Sequence, residues 1–472
     1  MSVVSPDYIY DQKPYGTDCY SYRTQFASED SSYALGSVIR IPISSVHNGF
    51  LSTDNSWLNV KVEFDAINGT GLSSAGTHVS HIGLNAIFDQ INVLGPNGYL
   101  QQYQNYQATT AINAVTNLDI NNYYPCSITQ GYPAPRNSNT EHNSLLNPAI
   151  DVDSDSTATL QKVTEDNALE AAVVVQGLMS GAKSIPIGWL HKDLVLELYV
   201  TNDVRNILFT TAGLITAGST AKISVNFDCQ IDVVTDNAMQ EIEGHAGGRR
   251  NIVSWSDTQQ STSTFNLTND ELITTSQTQK THVIAGKRPR KLLSLIQAGF
   301  RSNIIATANE TNTHDPWEFC NPYICPTPFG DQCQFHWRIG SHNYPPRPMA
   351  SSAECTQQLI DCYNQSCDSV VHNRYNKDHA KPRIIDGGNQ NDINRSAVGL
   401  NLTQFDQSAD GLDTSRDIIE SQGSLLKYIL YDNNGVADST QPNVADGLRV
   451  VTLMRYGVLY SVDETGDMSV SY

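Results

Sequence analysis

The sequence predicts an all-β protein: two tandem jelly-roll β-barrels or sandwiches with long loop insertions and a few short helices. Three observations lead there. Stretches of alternating apolar and polar residues recur along the chain, the layout of the first half returns in the second, and the regular helix–strand alternation of a doubly wound α/β fold is absent. The length of 472 residues exceeds the roughly 250–300 at which a single core stops growing, so two domains are expected. Charged residues make up only 17%, while 22 Tyr and 31 Gly lean towards strands and ordered loops rather than helical bundles.

Residues 1–32 hold Tyr8, Tyr10, Tyr15, Tyr20 and Tyr22 without an apolar period, and are expected to form an N-terminal arm. Tyrosine gives large contact area at little rotamer entropy, so contact with another protein is the economical use of such an arm. The first jelly roll is placed at 33–236. It opens with strands at 36–43 and 57–64, the second putting Leu58, Val60, Val62 and Phe64 on one face. Phe88 to Leu94 is read as a core strand, closed by the turn Gly95-Pro-Asn-Gly98, where Gly98 is expected to supply a positive φ. From Tyr99 to Leu118 the chain is expected to leave the barrel, with a helix from Tyr103. Residues 119–180 are polar and irregular, and strands are expected again at 185–189, 194–200 and 222–234. The last of these places six apolar residues, from Ile223 to Val233, at consecutive period-2 positions.

Residues 237–250, ending in GHAGGRR, have a linker's composition, and 251–472 form the second jelly roll. Its strands are read at 281–284, 291–300, 334–340, 425–431 and 448–460, with a closing hairpin over Glu464–Asp467. A helix is expected near 354–363, and 301–420 is otherwise irregular.

The formal charge of −20 provides no global positive field for nucleic acid or anionic lipid, and sequence-specific nucleic-acid binding is not expected. No apolar run approaches the roughly 20 residues that span a bilayer. The N-terminus MSVVSPDYIYDQKPYG lacks a basic region followed by an apolar core, so synthesis in the cytosol is expected. Six of the nine cysteines, Cys320, Cys325, Cys333, Cys355, Cys362 and Cys367, lie within 48 residues. Their spacings do not reproduce the short paired knuckles of structural zinc, so free thiols are favoured and no metal ligand is assigned. Lys287-Arg-Pro-Arg-Lys291 resembles a nuclear-import or phosphate-binding patch, but it runs straight into a strand and is read as a solvated strand entrance. The acids of Asp151–Asp155 lack the Gly and terminal Glu of a calcium loop, and His78 and His81 have no elbow motif or acid partner. Catalytic and cofactor residues are accordingly expected to be none, and the protein is not expected to be an enzyme.

The stretch SHIGLNAIFDQINVLGPNGYLQQYQNY, from Ser80 to Tyr106, resembles the strand, Pro-Asn-Gly turn and short helix of double jelly-roll major capsid proteins, especially those of Polinton-like viruses, adintoviruses and virophages. Ile185-Pro-Ile-Gly-Trp-Leu190 with the following LVLELYV, and the segment from Phe335 to Pro348, are similar to further landmarks of that family. The resemblance implies a virion protein in which three chains close into a pseudo-hexagonal capsomer. Such capsomers tile an icosahedral shell around double-stranded DNA, in contact with neighbouring capsomers, penton and minor or cement proteins. On the residues alone, a carbohydrate-binding or adhesive β-sandwich protein stays open as the alternative.

Overall fold

A computed structural model describes residues 19–70, 77–80, 82–117, 129–130, 160–161, 168–181, 184–210, 214–215, 220–245, 256–267, 277–284, 289–298, 333–339, 342–349, 354, 358, 395–402, 424–432 and 448–471. The first half contributes eight principal strands: β1 (Cys19–Ala27), β2 (Val38–Ile43), β3 (Gly49–Thr70), β4 (Phe88–Gly95), β5 (Gly98–Tyr103), β6 (Leu169–Val173), β7 (Leu194–Val200) and β8 (Thr220–Val234). They pair antiparallel in two sheets, ordered β1-β8-β3-β6 and β2-β7-β4-β5.

The second half contributes β9 (Ser256–Leu267), β10 (Gln277–Ile284), β11 (Pro289–Ala298), β12 (Cys333–Ile339), β13 (His342–Met349), β14 (Arg395–Asn401), β15 (Ser424–Asp432) and β16 (Leu448–Val462). Their sheets are β9-β16-β11-β14 and β10-β15-β12-β13. Adding eight to each strand number of the first half gives the order of the second. Each half is thus a jelly roll of the same topology, two four-stranded layers wound as Greek keys. A last strand, β17 (Met468–Ser471), folds back on the end of β16.

Side-chain alternation explains the central pair. In β8, Ile223, Val225, Phe227, Cys229 and Ile231 are buried while the residues between them stay partly exposed. The ladder sets Ile223, Val225 and Phe227 opposite Val62, Val60 and Leu58 of β3, so one face of both strands enters the core. Each such side chain contributes roughly 1.5–3 kcal/mol on burial.

Several expectations are corrected. The arm ends earlier than residue 32, because Cys19–Ala27 is an edge strand paired along β8; Tyr8, Tyr10 and Tyr15 lie outside the described residues. Tyr99 does not start an exit from the barrel. Gly98–Tyr103 returns as β5 in a hairpin with β4, and the helix α1 (Tyr106–Asn117) begins only after Asn105 takes a φ of 53°. A Tyr/Gln-rich strand lacks the alternation that marks its neighbours. Ile185–Trp189 is a single bridge from Ile185 to Leu51 followed by a 3-10 turn, because Pro186 removes a ladder donor. The linker begins as a helix, α2 (Asp236–His245), and residues 246–250 lie outside the description. The irregular stretch 301–420 contains β13 and β14. Lys291 is buried in β11 rather than solvated. The expected helix near 354–363 falls almost wholly outside the described residues, as do residues 119–128 and 131–159.

Buried polar groups pin α1 to the barrel. The Tyr106 hydroxyl donates to Asn85 Oδ1 (3.3 Å), Gln107 Nε2 donates to the Ala86 carbonyl (2.6 Å), and Gln101 Oε1 accepts from the Leu178 amide (2.8 Å). Burial pushes the Tyr106 phenol well above its ordinary range, so it acts as a neutral donor. Gly177 closes this network at φ +86°, where a Cβ would collide with the Gln101 amide and the Tyr103 hydroxyl.

Two glycines therefore separate strain from crowding. Gly98 has φ +139° with open space around it, so Gly98→Val is expected to cost about 1–3 kcal/mol from backbone strain alone. Gly177→Ala adds overpacking of about 1–3 kcal/mol to a comparable strain and is expected to be the more destabilised in urea denaturation. Equal midpoints for the two variants would contradict the packing around Gly177.

Candidate functional site

The two jelly rolls meet at a joint made from residues far apart in sequence. The 3-10 turn Ile187–Trp189 lies against the bend before β3, where a Cβ on Gly188 would fall 2.6 Å from the Val46 carbonyl and 2.8 Å from the Gly49 amide. That close approach holds Trp189 between Phe50, edge-on at 5.9 Å, and Met239 of α2, whose sulfur accepts from Trp189 Nε1 at 3.2 Å. At the helix start, Asn48 Nδ2 donates to Asp236 Oδ1 (2.6 Å). The first residues after the first jelly roll are thereby fixed to its end.

The tip of the β16–β17 hairpin docks on the same turn. The His191 amide donates to the Gly466 carbonyl (3.3 Å), and His191 Nδ1 faces that carbonyl at 3.1 Å and Asp467 Oδ1 at 3.0 Å. Both neighbours of Nδ1 are acceptors. Gly466 has φ +83°, and a Cβ there would meet the Trp189 carbonyl at 2.6 Å and the His191 amide at 2.8 Å. Asp463 shapes the hairpin tip: its Oδ1 accepts from the Thr465 hydroxyl (2.6 Å) and from the Asp467 and Thr465 amides. These bonds, the Thr465 hydroxyl foremost, hold its carboxyl below the usual range.

Strands β9 and β17 pack beside β5. One hydrophobic cluster runs unbroken through both halves, joining Phe64, Phe227 and Trp189 to Trp337, Tyr460, Val462 and Met468. The joint is a continuation of the core.

On the outward face of the β2-β7-β4-β5 sheet, one row crosses all four strands: Arg40, Glu197, Asn92 and Gln102. Only 3% of the Glu197 side chain is accessible. Arg40 donates to Glu197 Oε1 through Nη2 (2.9 Å) and Nε (3.1 Å), while Oε2 accepts from the Tyr199 hydroxyl (3.0 Å) and Asn92 Nδ2 (3.2 Å). Burial alone would raise this carboxyl. The bonds from Asn92, Arg40 and Tyr199, with the Arg40 charge, outweigh it and hold Glu197 below its ordinary value.

Among the described residues, those singled out in the sequence are not gathered into a site. Tyr20 and Tyr22 stack at 6.3 Å on β1, with 63% and 38% of their surfaces exposed. His78 sits in a short strand, Thr77–Val79, paired with Leu208–Thr210, while His81 and Asp151–Asp155 lie outside the described residues. Cys19 and Cys229 are free thiols, and burial foremost pushes Cys229 up to about 12. Cys333 lies on β12 with its side chain undescribed, and Cys320, Cys325, Cys355, Cys362 and Cys367 lie outside. Among the described residues no three His, Cys, Asp or Glu side chains form a metal-binding group, and no helix is long and apolar enough to cross a membrane. Sequence reading missed the Trp189–His191 joint and the Arg40–Glu197 pair. Their only local signals were a glycine in a turn and single charges within apolar strands.

No family model and no curated protein matches the sequence. Solved structures do match. Against VP54 of PBCV-1, fitted into a reconstruction of the virophage Sputnik, the TM-score is 0.56 at 9% identity, covering 98% of this chain and 99% of the other. Against the Faustovirus major capsid protein it is 0.53 at 11%, covering 94% and 90%. For the mavirus major capsid protein it is 0.51 at 11%, covering 97% and 90%. At these identities the likeness establishes the fold: both jelly rolls and nearly the full length are shared.

The geometry makes two expectations. Glu197→Gln is expected to lose about 1–3 kcal/mol at pH 7, the range for hydrogen bonds to a charged group. Because the folded carboxyl is depressed, this advantage of the native protein is complete above the unfolded value of about 4.3 and fades as pH falls through the folded value. Urea titrations of both proteins at pH 7, 5 and 3 read it, and a pH-independent difference would refute the ion-pair account. Gly466→Val is expected to undock the hairpin, so that calorimetry shows two transitions where the native protein shows one. An unsplit transition with an unchanged midpoint would remove the joint from the chain's cooperativity.

Proposed function

We propose that this chain is a major capsid protein, three copies of which close into a pseudo-hexagonal capsomer that tiles an icosahedral shell around double-stranded DNA. The observation that carries the reading is the repeat of strand order, 1-8-3-6 and 2-7-4-5, in both halves of one chain. Two barrels of equal topology on one rigid joint approximate two neighbouring corners of a hexagon, and threefold closure supplies the other four. Closed threefold contacts are heterologous, so one surface of each chain must fit a different surface of the next. A chain whose two barrels share a core presents both surfaces at a fixed spacing.

The Faustovirus and mavirus structures are named as major capsid proteins, which supports a structural rather than enzymatic role and a place in the virion. The net charge of −20 agrees with a shell that encloses nucleic acid without condensing it. Neighbouring capsomers are partners on this reading, with penton and minor or cement proteins completing the shell and synthesis taking place in the host cytoplasm.

Sedimentation velocity and negative-stain microscopy of the expressed protein test the proposal. The expected particle has three times the mass of the 51.9 kDa chain and a six-cornered outline, alone or in sheets and shells. A stable single chain that binds sugars would replace the capsid reading with that of a lectin-like protein.

A further inference from the structure

Eight strands end the four main sheets, and seven carry a feature that discourages pairing with another chain. Strand β2 contains Pro42, and β13 contains Pro345, Pro346 and Pro348, each removing a ladder donor. Strands β5 and β9 lie against each other, β6 is only five residues long, and β10 and β14 carry Lys280 and Arg395. Strand β1 differs. Its nine residues, CYSYRTQFA, contain neither Pro nor Gly, and one edge pairs along its whole length with β8. No described residue pairs with the other edge. Its single charge does not guard that edge either. Arg23 is neutralised by Asp228 (Nη2 to Oδ1, 2.5 Å) and lies 4.0 Å over the Trp57 ring.

The faces of β1 match what an added strand needs. Tyr20 and Tyr22 stand opposite the buried Val233 and Ile231, so the apolar face of the sheet continues onto exposed rings at its edge. On the other face Ser21 donates to Asp232 Oδ1 (2.5 Å), so a carboxylate lies beside Ser21, the residue that the register proposed below sets against a partner's Arg23. An edge that no described residue pairs, on a nine-residue strand whose one charge is already held by Asp228, is a place where copies of an acidic protein meet with little like-charge repulsion.

We propose that the free edge of β1 pairs antiparallel with the β1 edge of a second copy, about a twofold axis at Tyr22. That register places Tyr22 against the partner's Tyr22, Tyr20 against the partner's Thr24, and Ser21 against the partner's Arg23. The tyrosine rings then form one aromatic ladder. A register centred one residue later would oppose two arginines. The contact stands beside the capsomer reading, because edge pairing is twofold and capsomer closure threefold, so each can fail without the other.

The test is Tyr22→Lys, which sets two ammonium groups against each other on the axis while changing a partly exposed side chain. Association between capsomers, read by sedimentation velocity over a concentration series, is expected to weaken at least tenfold, with circular dichroism, Tm and the three-chain unit unchanged. If the unit that associates is one chain and not three, the same substitution is expected to abolish its dimerisation. Tyr22→Cys under mild oxidation is expected to give more covalent dimer than the native protein, since directly opposed Cα atoms lie about 4.5–5.5 Å apart, within disulfide reach. Tyr20→Cys is expected not to. Undiminished association of Tyr22→Lys, or no excess dimer from Tyr22→Cys, overturns the proposal. Loss of the three-chain unit in Tyr22→Lys also overturns it, because the edge would then lie inside the capsomer.

Discussion

Strand β3 lies between β8 and β6, and β8 lies between β1 and β3, so their mutual ladder is the seam on which the first jelly roll depends. The two strands are the longest of the first half, and they are separated by about 150 residues of chain. Closing so long a loop costs entropy that only a long ladder with a buried face offsets. The pairs Leu58–Phe227, Val60–Val225 and Val62–Ile223 supply that face. In the second half β11 and β16 hold the same two places, with Leu292 opposite Met454 and Leu293 opposite Leu453.

Beyond the seams, the chain behaves as one body because its core does not stop at either jelly roll. Strand β16 runs past its neighbours, turns over Asp463–Asp467 and returns as β17, carrying Tyr460, Val462 and Met468 into the shared cluster. The turn reaches His191 through a backbone hydrogen bond, and close approach at Gly188 and at Gly466, the latter against the Trp189 carbonyl, leaves no room for side chains there. Rigid spacing between two barrels follows from that packing. A capsomer built from such chains would need no further element to hold its two kinds of corner apart.

Charge is handled locally. The chain is strongly acidic, yet Arg23 meets Asp228, Arg40 meets Glu197 and Lys61 meets Glu63, each within a sheet. Glu197 is the most buried of these carboxylates and the only one with three different donors around it, which makes the outward row of that sheet a fixed structure rather than a mobile charged surface. On so acidic a chain, the proposed contact between copies falls at β1, whose one charge is already paired.

The alternation of β8, the apolar face of β3, the Phe88–Leu94 strand and the Pro-Asn-Gly turn were all legible in the sequence, because burial of one sheet face imposes a period of two on the residues themselves. The two-part layout was legible for the same reason. Strand β5 was not, since its buried residues include Gln101 and Tyr103, and the partner of Gln101, the Leu178 amide, is remote in sequence. Nor was β1, which borrows its strand from the ladder of β8 and alternates little in its own burial. The docking of His191 on Gly466 spans 275 positions, and no local pattern encodes a contact at that distance. Sequence alone determined which residues are strands with a buried face and that two sets of them occur. Tertiary structure decided which strands are neighbours, where the jelly rolls join and which described strands end the sheets, because those follow from packing between segments whose local sequences carry no information about each other.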